Sequence, residues 1–114
     1  MEKYFRLSRA PYKDINTICI TTDYRKNQGY VVSAEFRIKT SPICFGKAYC
    51  AEYYAHDGDG IAKVIPAGRK SAKKQAEADQ YAEQNARSIA ENYLAQVISK
   101  LKLTDDIKVE EEMA

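Results

Sequence analysis

The stretch SAKKQAEADQYAEQNARSIAENYLAQVISKLK, residues 71–102, decides the fold of this 114-residue chain. From residue 89 to residue 101 its apolar residues recur at the 3.6-residue spacing of an amphipathic helix. We therefore predict one long helix over this stretch. Its second half should make most of the contact with the core, because its first half is lined mainly by alanine.

The row Ala82, Ala86 and Ala90 predicts a smooth ridge that allows the backbone of a neighbour to approach closely. The predicted helix is ~46 Å long at 1.5 Å per residue. A ten-residue strand spans only ~33 Å. One end of the helix must therefore overhang the sheet, kink or find another partner, and a symmetric homodimer through the helix is one hypothesis.

The residues before the helix predict strands joined by tight turns. Residues 15–24 are rich in β-branched side chains and alternate, and the turn 25–29 ends in a glycine. Residues 30–40 alternate strictly, which predicts one packed face and one wet face. Residues 43–56 are apolar on both parities, so they form either a central strand or a strand with a bulge at Gly46. A short strand, 61–65, is stopped by Pro66.

The fold class that follows is α+β. Four strands joined by three short connections predict an up-and-down antiparallel meander of about four strands, followed by one long C-terminal helix packed on one face. We expect a single domain over residues 1–103 with a basic N-terminal arm, 1–14, in which 3–7 is either part of the arm or a short edge strand. Residues 104–114 form an acidic C-terminal tail, which is a frayed end, a last strand or an intramolecular competitor for the basic surface.

Composition narrows the class of protein further. No apolar run suits a signal peptide or a membrane span, so we expect no membrane partner. Cys19, Cys44 and Cys50 form no CxxC pair, which favours buried reduced thiols and a cytoplasmic location. The size is typical of a bacterial or phage protein.

The sequence has few motifs that indicate catalysis or the binding of metal or phosphate. The chain has one histidine, His56, no nucleophile motif, no glycine-rich phosphate loop and no zinc-ligand spacing, so we expect no enzyme and no cofactor. Two carboxylates in the segment 56–60, HDGDG, could bind calcium or magnesium. Asp-Gly is, however, a common hairpin signal and the distal Glu of a calcium loop is missing, so a plain turn without metal is favoured.

The net charge of +2 hides an uneven distribution. Residues 1–76 carry fourteen Lys and Arg against seven Asp and Glu, whereas residues 77–114 carry four against nine. A basic front half of this kind favours an acidic partner, which is either nucleic acid or an acidic protein.

The entry to the helix, AGRKSAKKQA at 67–76, is the sharpest anomaly. It holds Arg69, Lys70, Lys73 and Lys74, with no acidic residue between Asp59 and Glu77. Cations in a first helical turn oppose the helix dipole and cost ~0.3–1 kcal/mol each. One interpretation is a polyanion site at the helix start. The alternative is a solvated loop with a helix that begins near Glu77.

Other bases alternate with aromatic residues and extend the candidate interface. Arg25 and Lys26 follow Tyr24 in the first turn, and Arg37 and Lys39 lie on the predicted wet face of the strand 30–40. Such a surface could stack bases and neutralise phosphates. The alternative is that tyrosines simply cover a pleated sheet well.

Gly68, Ser71, Lys73, Lys74 and Ala76 resemble the start of the last helix in double-stranded-RNA-binding domains, where Ser-Lys-Lys-x-Ala-Lys grips phosphates. In this sequence Ala72 intervenes, Glu77 replaces a third lysine, and the first helix of that family has no counterpart. The resemblance covers ten residues and does not assign the family. The order of four strands and a helix is also similar to that of the single-strand-binding Whirly group, in topology only.

Together these patterns predict a small nonenzymatic nucleic-acid-binding protein. Its phosphate contacts would come from the helix start and the sheet surface: Arg69, Lys70, Lys73, Lys74, Arg25, Lys26, Arg37 and Lys39. The alternative is a protein–protein interaction module, an inhibitor or assembly adaptor, that uses the alanine ridge or a sheet edge.

Overall fold

The computed structural model describes residues 1–9, 16–40, 43–45, 60–101 and 106–113, and at 38–40, 43–45, 100, 101 and 113 it describes the backbone alone. Six strands and one helix follow one another in these ranges. In chain order they are β1 (Glu2–Leu7), β2 (Thr17–Arg25), β3 (Gly29–Thr40), β4 (Ile43–Phe45), β5 (Ile61–Ile65), α1 (Ala72–Leu101) and β6 (Val109–Met113).

The strands form one antiparallel sheet that is five strands wide. Its order is β4, β3, β2, β1, β6, and β5 lies beside β3 on the same edge as β4. β4 pairs with the last residues of β3, whereas β5 pairs with residues 30–33 near its start. The predicted α+β class, with an antiparallel sheet and one long C-terminal helix, is confirmed. The sheet is wider than four strands because both chain ends add to it.

The β2–β3 hairpin is the longest pairing of strands, and its turn lies beside the chain that leaves β5. Its register runs from Thr17 opposite Arg37 to Arg25 opposite Gly29. Asn27 and Gly29 have φ angles of 71° and 118°, values that Asn and Gly adopt most readily. A Cβ atom at Gly29 would lie 2.2 Å from the carbonyl oxygen of Ile65, so only glycine lets the hairpin pack against the chain that leaves β5.

Alternation along β3 places the core as the sequence predicts. Tyr30, Val32, Ala34 and Phe36 are buried on the face that meets α1. The opposite face, which we call the far face, is not simply wet. Thr17, Cys19 and Thr21 of β2 lie across from the odd-numbered residues of β3 and are buried, as is Val31. The prediction of one packed and one wet face is thus only half right.

The helix uses its alanines against its own sheet. Ala78, Ala82, Ala86 and Ala90 are all buried in the core. Small side chains at four-residue spacing allow the helix backbone to lie close to the strands. The neighbour that approaches the alanine row closely is the protein's own sheet, so this row is not exposed as the alternative of a protein-interaction module requires.

Both chain ends are strands of the sheet rather than a separate arm and tail. β1 lies between β2 and β6, so it is an interior strand and not an edge strand. Phe5, Leu7, Ile107 and Val109 are buried, which ties both segments to the core. The division into a domain 1–103 and a tail 104–114 therefore separates β6 from the sheet it completes. Of the three alternatives for the tail, a last strand is the one observed, and competition for the basic surface stays a prediction.

Candidate nucleic-acid interface

Helix α1 begins at Ala72, which places two lysines in its first turn. The Ser71 hydroxyl accepts a hydrogen bond from the Lys74 N–H at 3.3 Å, and the Ser71 carbonyl accepts one from the Gln75 N–H at 2.9 Å. Ser71 is thus the N-cap, a position that serine favours. No acidic residue lies in the first turn. The alternative in which the helix begins near Glu77 is wrong, and Lys73 and Lys74 do oppose the helix dipole.

The β2–β3 hairpin packs against this helix start. The Tyr30 hydroxyl accepts a hydrogen bond from the Ser71 N–H at 3.0 Å. The Lys70 ammonium lies 5.9 Å from the centre of the Tyr24 ring, and the Tyr24 and Tyr30 rings are 5.2 Å apart. Contacts of this kind hold the segment before the helix beside the turn of the hairpin.

Six of the eight sequence-predicted site residues therefore lie at one end of the molecule. We call this the basic end; it consists of Arg25, Lys26, Arg69, Lys70, Lys73 and Lys74. All of them are exposed except Lys74, which is half-buried. The Lys74 ammonium also lies 3.7 Å from the carboxylate of Glu77.

Ion pairing sorts the cations of the protein into two groups. Lys3, Arg6, Arg9, Arg37 and Arg87 each lie within 4.0 Å of a carboxylate. Within the described residues, five cations of the basic end have no such partner: Arg25, Lys26, Arg69, Lys70 and Lys73. Lys63 and Lys108 also lack one there; Lys63 lies over the Tyr81 ring, and Lys108 lies beside Ser8. Unpaired cations are thus concentrated where the hairpin meets the helix start.

Arg37 does not belong to the basic end. Its side chain is 13% exposed on the far face, where Nε donates to Glu35 at 2.7 Å and a terminal nitrogen donates to Glu2 at 3.1 Å. Burial works to lower the pKa of Arg37, but the hydrogen bond to Glu35 and the nearby groups Cys19, Glu35 and Tyr4 together outweigh it, so that pKa lies above its ordinary value. The guanidinium is therefore charged and already neutralised. Lys39 lies in β3, and its side chain is outside the described residues.

Cys19 lies in the same far-face cluster and is fully buried. Burial raises the pKa of its thiol to about 12, and the nearby charge of Arg37 lowers it only in part. A thiol of this kind is protonated at neutral pH and unreactive. The side chains of Cys44 and Cys50 lie outside the described residues.

Within the described residues, the carboxylates of the C-terminal segment pair with cations outside the basic end. Glu112 lies 2.9 Å from Lys3, Glu111 lies 4.0 Å from Arg6, and Asp106 lies 2.6 Å from Arg9. Arg87 of the helix donates to the carbonyl oxygens of Val109 and Glu110, at 3.0 Å each. The acids of the tail thus neutralise the bases of the N-terminal segment, on the side of the sheet away from β5.

The described residues were also searched for a metal site and for a membrane-spanning helix. Among the described residues no group of three His, Cys, Asp or Glu side chains could hold a metal ion, and 56–59 lie outside them. No helix in the described ranges is both long enough and apolar enough to cross a membrane.

Sequence reasoning did not single out Tyr30 as part of the site. Its hydroxyl contacts a residue 41 positions away, and no local pattern indicates such a pairing. Arg25 and Lys26 were singled out by their position in a turn, but the sequence could not show that they lie beside Lys70.

Comparison of the chain with protein-family models, with curated proteins and with solved structures finds no match. The likeness of residues 67–76 to a double-stranded-RNA-binding helix start therefore stays a local one. A function for this protein has to be derived from the placement of its own residues.

Proposed function

We propose that this protein binds nucleic acid and that the basic end contacts the phosphates. The observation that carries the proposal is the distribution of ion pairs. Most cations elsewhere in the described residues lie against carboxylates, whereas five cations of the basic end do not. Unpaired cations close together repel one another, so an anionic partner would stabilise them.

The groups at the basic end suit phosphate. Arg25 and Arg69 can each present two parallel N–H donors to phosphate oxygens, and Lys26, Lys70 and Lys73 act as point charges. Backbone N–H groups at a helix start add partial positive charge in the same place. The Tyr24 ring beside Lys70 adds an aromatic surface next to these charges.

The same charges set the expected salt dependence. If all five unpaired cations contact phosphates, the slope of log affinity against log salt is about −3.5 on a single strand and about −4.5 on a duplex. Removing one contact reduces the slope by roughly 0.7–0.9.

The test is fluorescence-anisotropy binding of short single- and double-stranded DNA and RNA between 25 and 200 mM salt. We expect Lys70→Gln and Arg69→Gln each to weaken binding to every sequence and to reduce the salt slope by about one. Lys108→Gln is the matched control, because it removes an equally exposed lysine without an ion pair in the described residues, outside the basic end. Absence of binding at the lowest salt, or an equal effect of Lys108→Gln, would contradict the proposal.

A second candidate function is protein binding through β5, which pairs with β3 alone in the part of the chain that the structure describes. Ile61 and Val64 of this strand are each 38% exposed, so two large apolar side chains of one short strand reach the surface. An exposed strand edge can add a strand from a partner. Because the alanine row is buried, this candidate rests on the sheet edge alone. Failure of the oligonucleotide test would favour it.

A further inference from the structure

A groove of about 270 Å³ lies between α1 and the start of β5. Its helix side presents five polar side chains, Tyr81, Asn85, Ser88, Asn92 and Gln96, and residues 60–62 form its other wall. None of the described residues that line it carries a charge. The volume is below the ~300–1,000 Å³ typical of pockets for drug-sized ligands, so the groove suits one small polar ring.

The polar side chains form a single stripe along the helix. They are spaced by four, three, four and four residues, so they lie on one face. Lys74 is seven residues, or two turns, before Tyr81 and extends the same stripe toward the basic end. The stripe therefore begins at a cation and continues with an aromatic ring and four neutral hydrogen-bonding groups.

Contacts at the mouth of the groove connect it to the charged surface. The Lys63 ammonium of β5 lies 5.6 Å from the centre of the Tyr81 ring, and no carboxylate pairs with it in the described residues. The Asn85 amide nitrogen donates to the Tyr81 carbonyl at 2.9 Å, which fixes the Asn85 side chain. Deeper in, the Tyr93 ring packs on Phe36 at 5.1 Å and closes the floor.

We propose that this groove holds a base of a single-stranded nucleic acid whose phosphates contact the basic end; the inference rests on the function proposed above. Asn and Gln amides match the donor and acceptor pattern on base edges, and tyrosine offers a ring against which a base can lie. A base carries no net charge, which fits a neutral groove, while Lys63 and Lys74 meet the phosphates that flank it. A neutral sugar would make no use of these two cations.

Dimensions along the helix agree with this path. Lys74 and Tyr81 are ~10 Å apart at 1.5 Å per residue, and Lys74 and Asn92 are ~27 Å apart. A strand of a few nucleotides can therefore reach from the basic end into the groove. A duplex keeps its bases stacked and paired, so only a single strand can place one there.

The test compares equal-length homopolymers of A, C and T or U by anisotropy at one salt concentration. We expect the wild-type protein to favour one base by about fivefold or more, since a good pair of hydrogen bonds to a base contributes this much discrimination or more. The double variant Asn92→Ala/Gln96→Ala should reduce the spread to less than about twofold. Its salt slope should stay unchanged, because neither residue contacts phosphate.

Gln80→Ala/Gln84→Ala is the matched control, because it removes two exposed amides from the same helix that do not line the groove. It should keep the base preference. Equal binding of all bases by the wild type, or a base preference that survives Asn92→Ala/Gln96→Ala, would contradict the proposal that the groove holds a base. Neither result would contradict phosphate binding at the basic end. Absence of binding to every oligonucleotide would overturn both.

Discussion

Arg37 and Arg25 show how two arginines of one hairpin differ in role. Arg25 is the last residue of β2 and Arg37 lies in β3, and both were predicted to contact phosphate. In the structure Arg37 lies between Glu35 and Glu2, with the Tyr4 ring 5.9 Å away. Arg25 is exposed beside the turn. Burial and pairing, which depend on neighbours across strands, thus separate an arginine held by carboxylates from one that is exposed and proposed to bind.

We expect Arg37→Met to lower the free energy of unfolding by about 2 kcal/mol. The substitution leaves Glu35 and Glu2 close together without the cation between them, and loss of one partner of a largely buried pair is costly. Urea denaturation measures the change. The Arg37→Met variant should bind oligonucleotides with an affinity within about twofold of the wild-type value, after correction for the folded fraction.

Arg25→Met is the control, and it should change oligonucleotide binding but not stability. It should change the free energy of unfolding by no more than ~0.5 kcal/mol, as is usual for exposed positions. It should weaken oligonucleotide binding and reduce the salt slope. Equal effects of both variants on binding would show that Arg37 also meets the ligand.

At the scale of elements, the first turn of α1 combines a good cap with unfavourable charges. Ser71 satisfies the Lys74 N–H, yet Lys73 and Lys74 face the positive end of the helix dipole. The sequence alone predicted the helix at 71–102, close to the observed Ala72–Leu101, because its period and cap are local signals. What the alanine row packs against was not a local property.

We expect Lys73→Glu to stabilise the protein by about 0.5 kcal/mol, because it places an anion at the helix start. The same change should weaken oligonucleotide binding by more than tenfold at low salt, since it replaces an attraction with a repulsion. Urea denaturation and anisotropy measure the two effects on one sample.

Gln84→Glu serves as the control for added negative charge in the same helix. Lying three turns further along, it should leave stability nearly unchanged and weaken binding much less. Unchanged binding by Lys73→Glu would remove this residue from the interface.

At the scale of the whole molecule, the sheet brings opposite charges of the chain ends together. The basic N-terminal segment and the acidic C-terminal segment become neighbouring strands, β1 and β6, with three ion pairs between the two segments. This pairing places a carboxylate beside each of Lys3, Arg6 and Arg9, which weakens their attraction for a polyanion. It also leaves the basic end as the concentration of unpaired positive charge in the described residues.

We expect Glu111→Gln/Glu112→Gln to change oligonucleotide affinity by less than about twofold at 0.15 M salt. Glu112 and Glu83 both lie beside Lys3, and Glu83 is nine residues, or ~14 Å at 1.5 Å per residue, along the helix from Lys74. This distance exceeds the ~8 Å screening length. Anisotropy at this salt concentration measures the change. A severalfold gain in affinity would instead indicate that the tail competes with nucleic acid for the basic end.

The sequence by itself determined the elements that depend on neighbouring residues: the long helix, the alternating strand β3, the turn at Gly29 and the cations at the helix start. Periodicity, turn chemistry and capping act over a few residues, so they can be recognised without the fold. Only the tertiary structure decided which charges are neutralised, which face the alanines cover, and that the hairpin lies beside the helix start. These depend on contacts between residues far apart in the chain, such as Tyr30 with Ser71 and Lys3 with Glu112, because packing brings them together and no local pattern encodes their pairing.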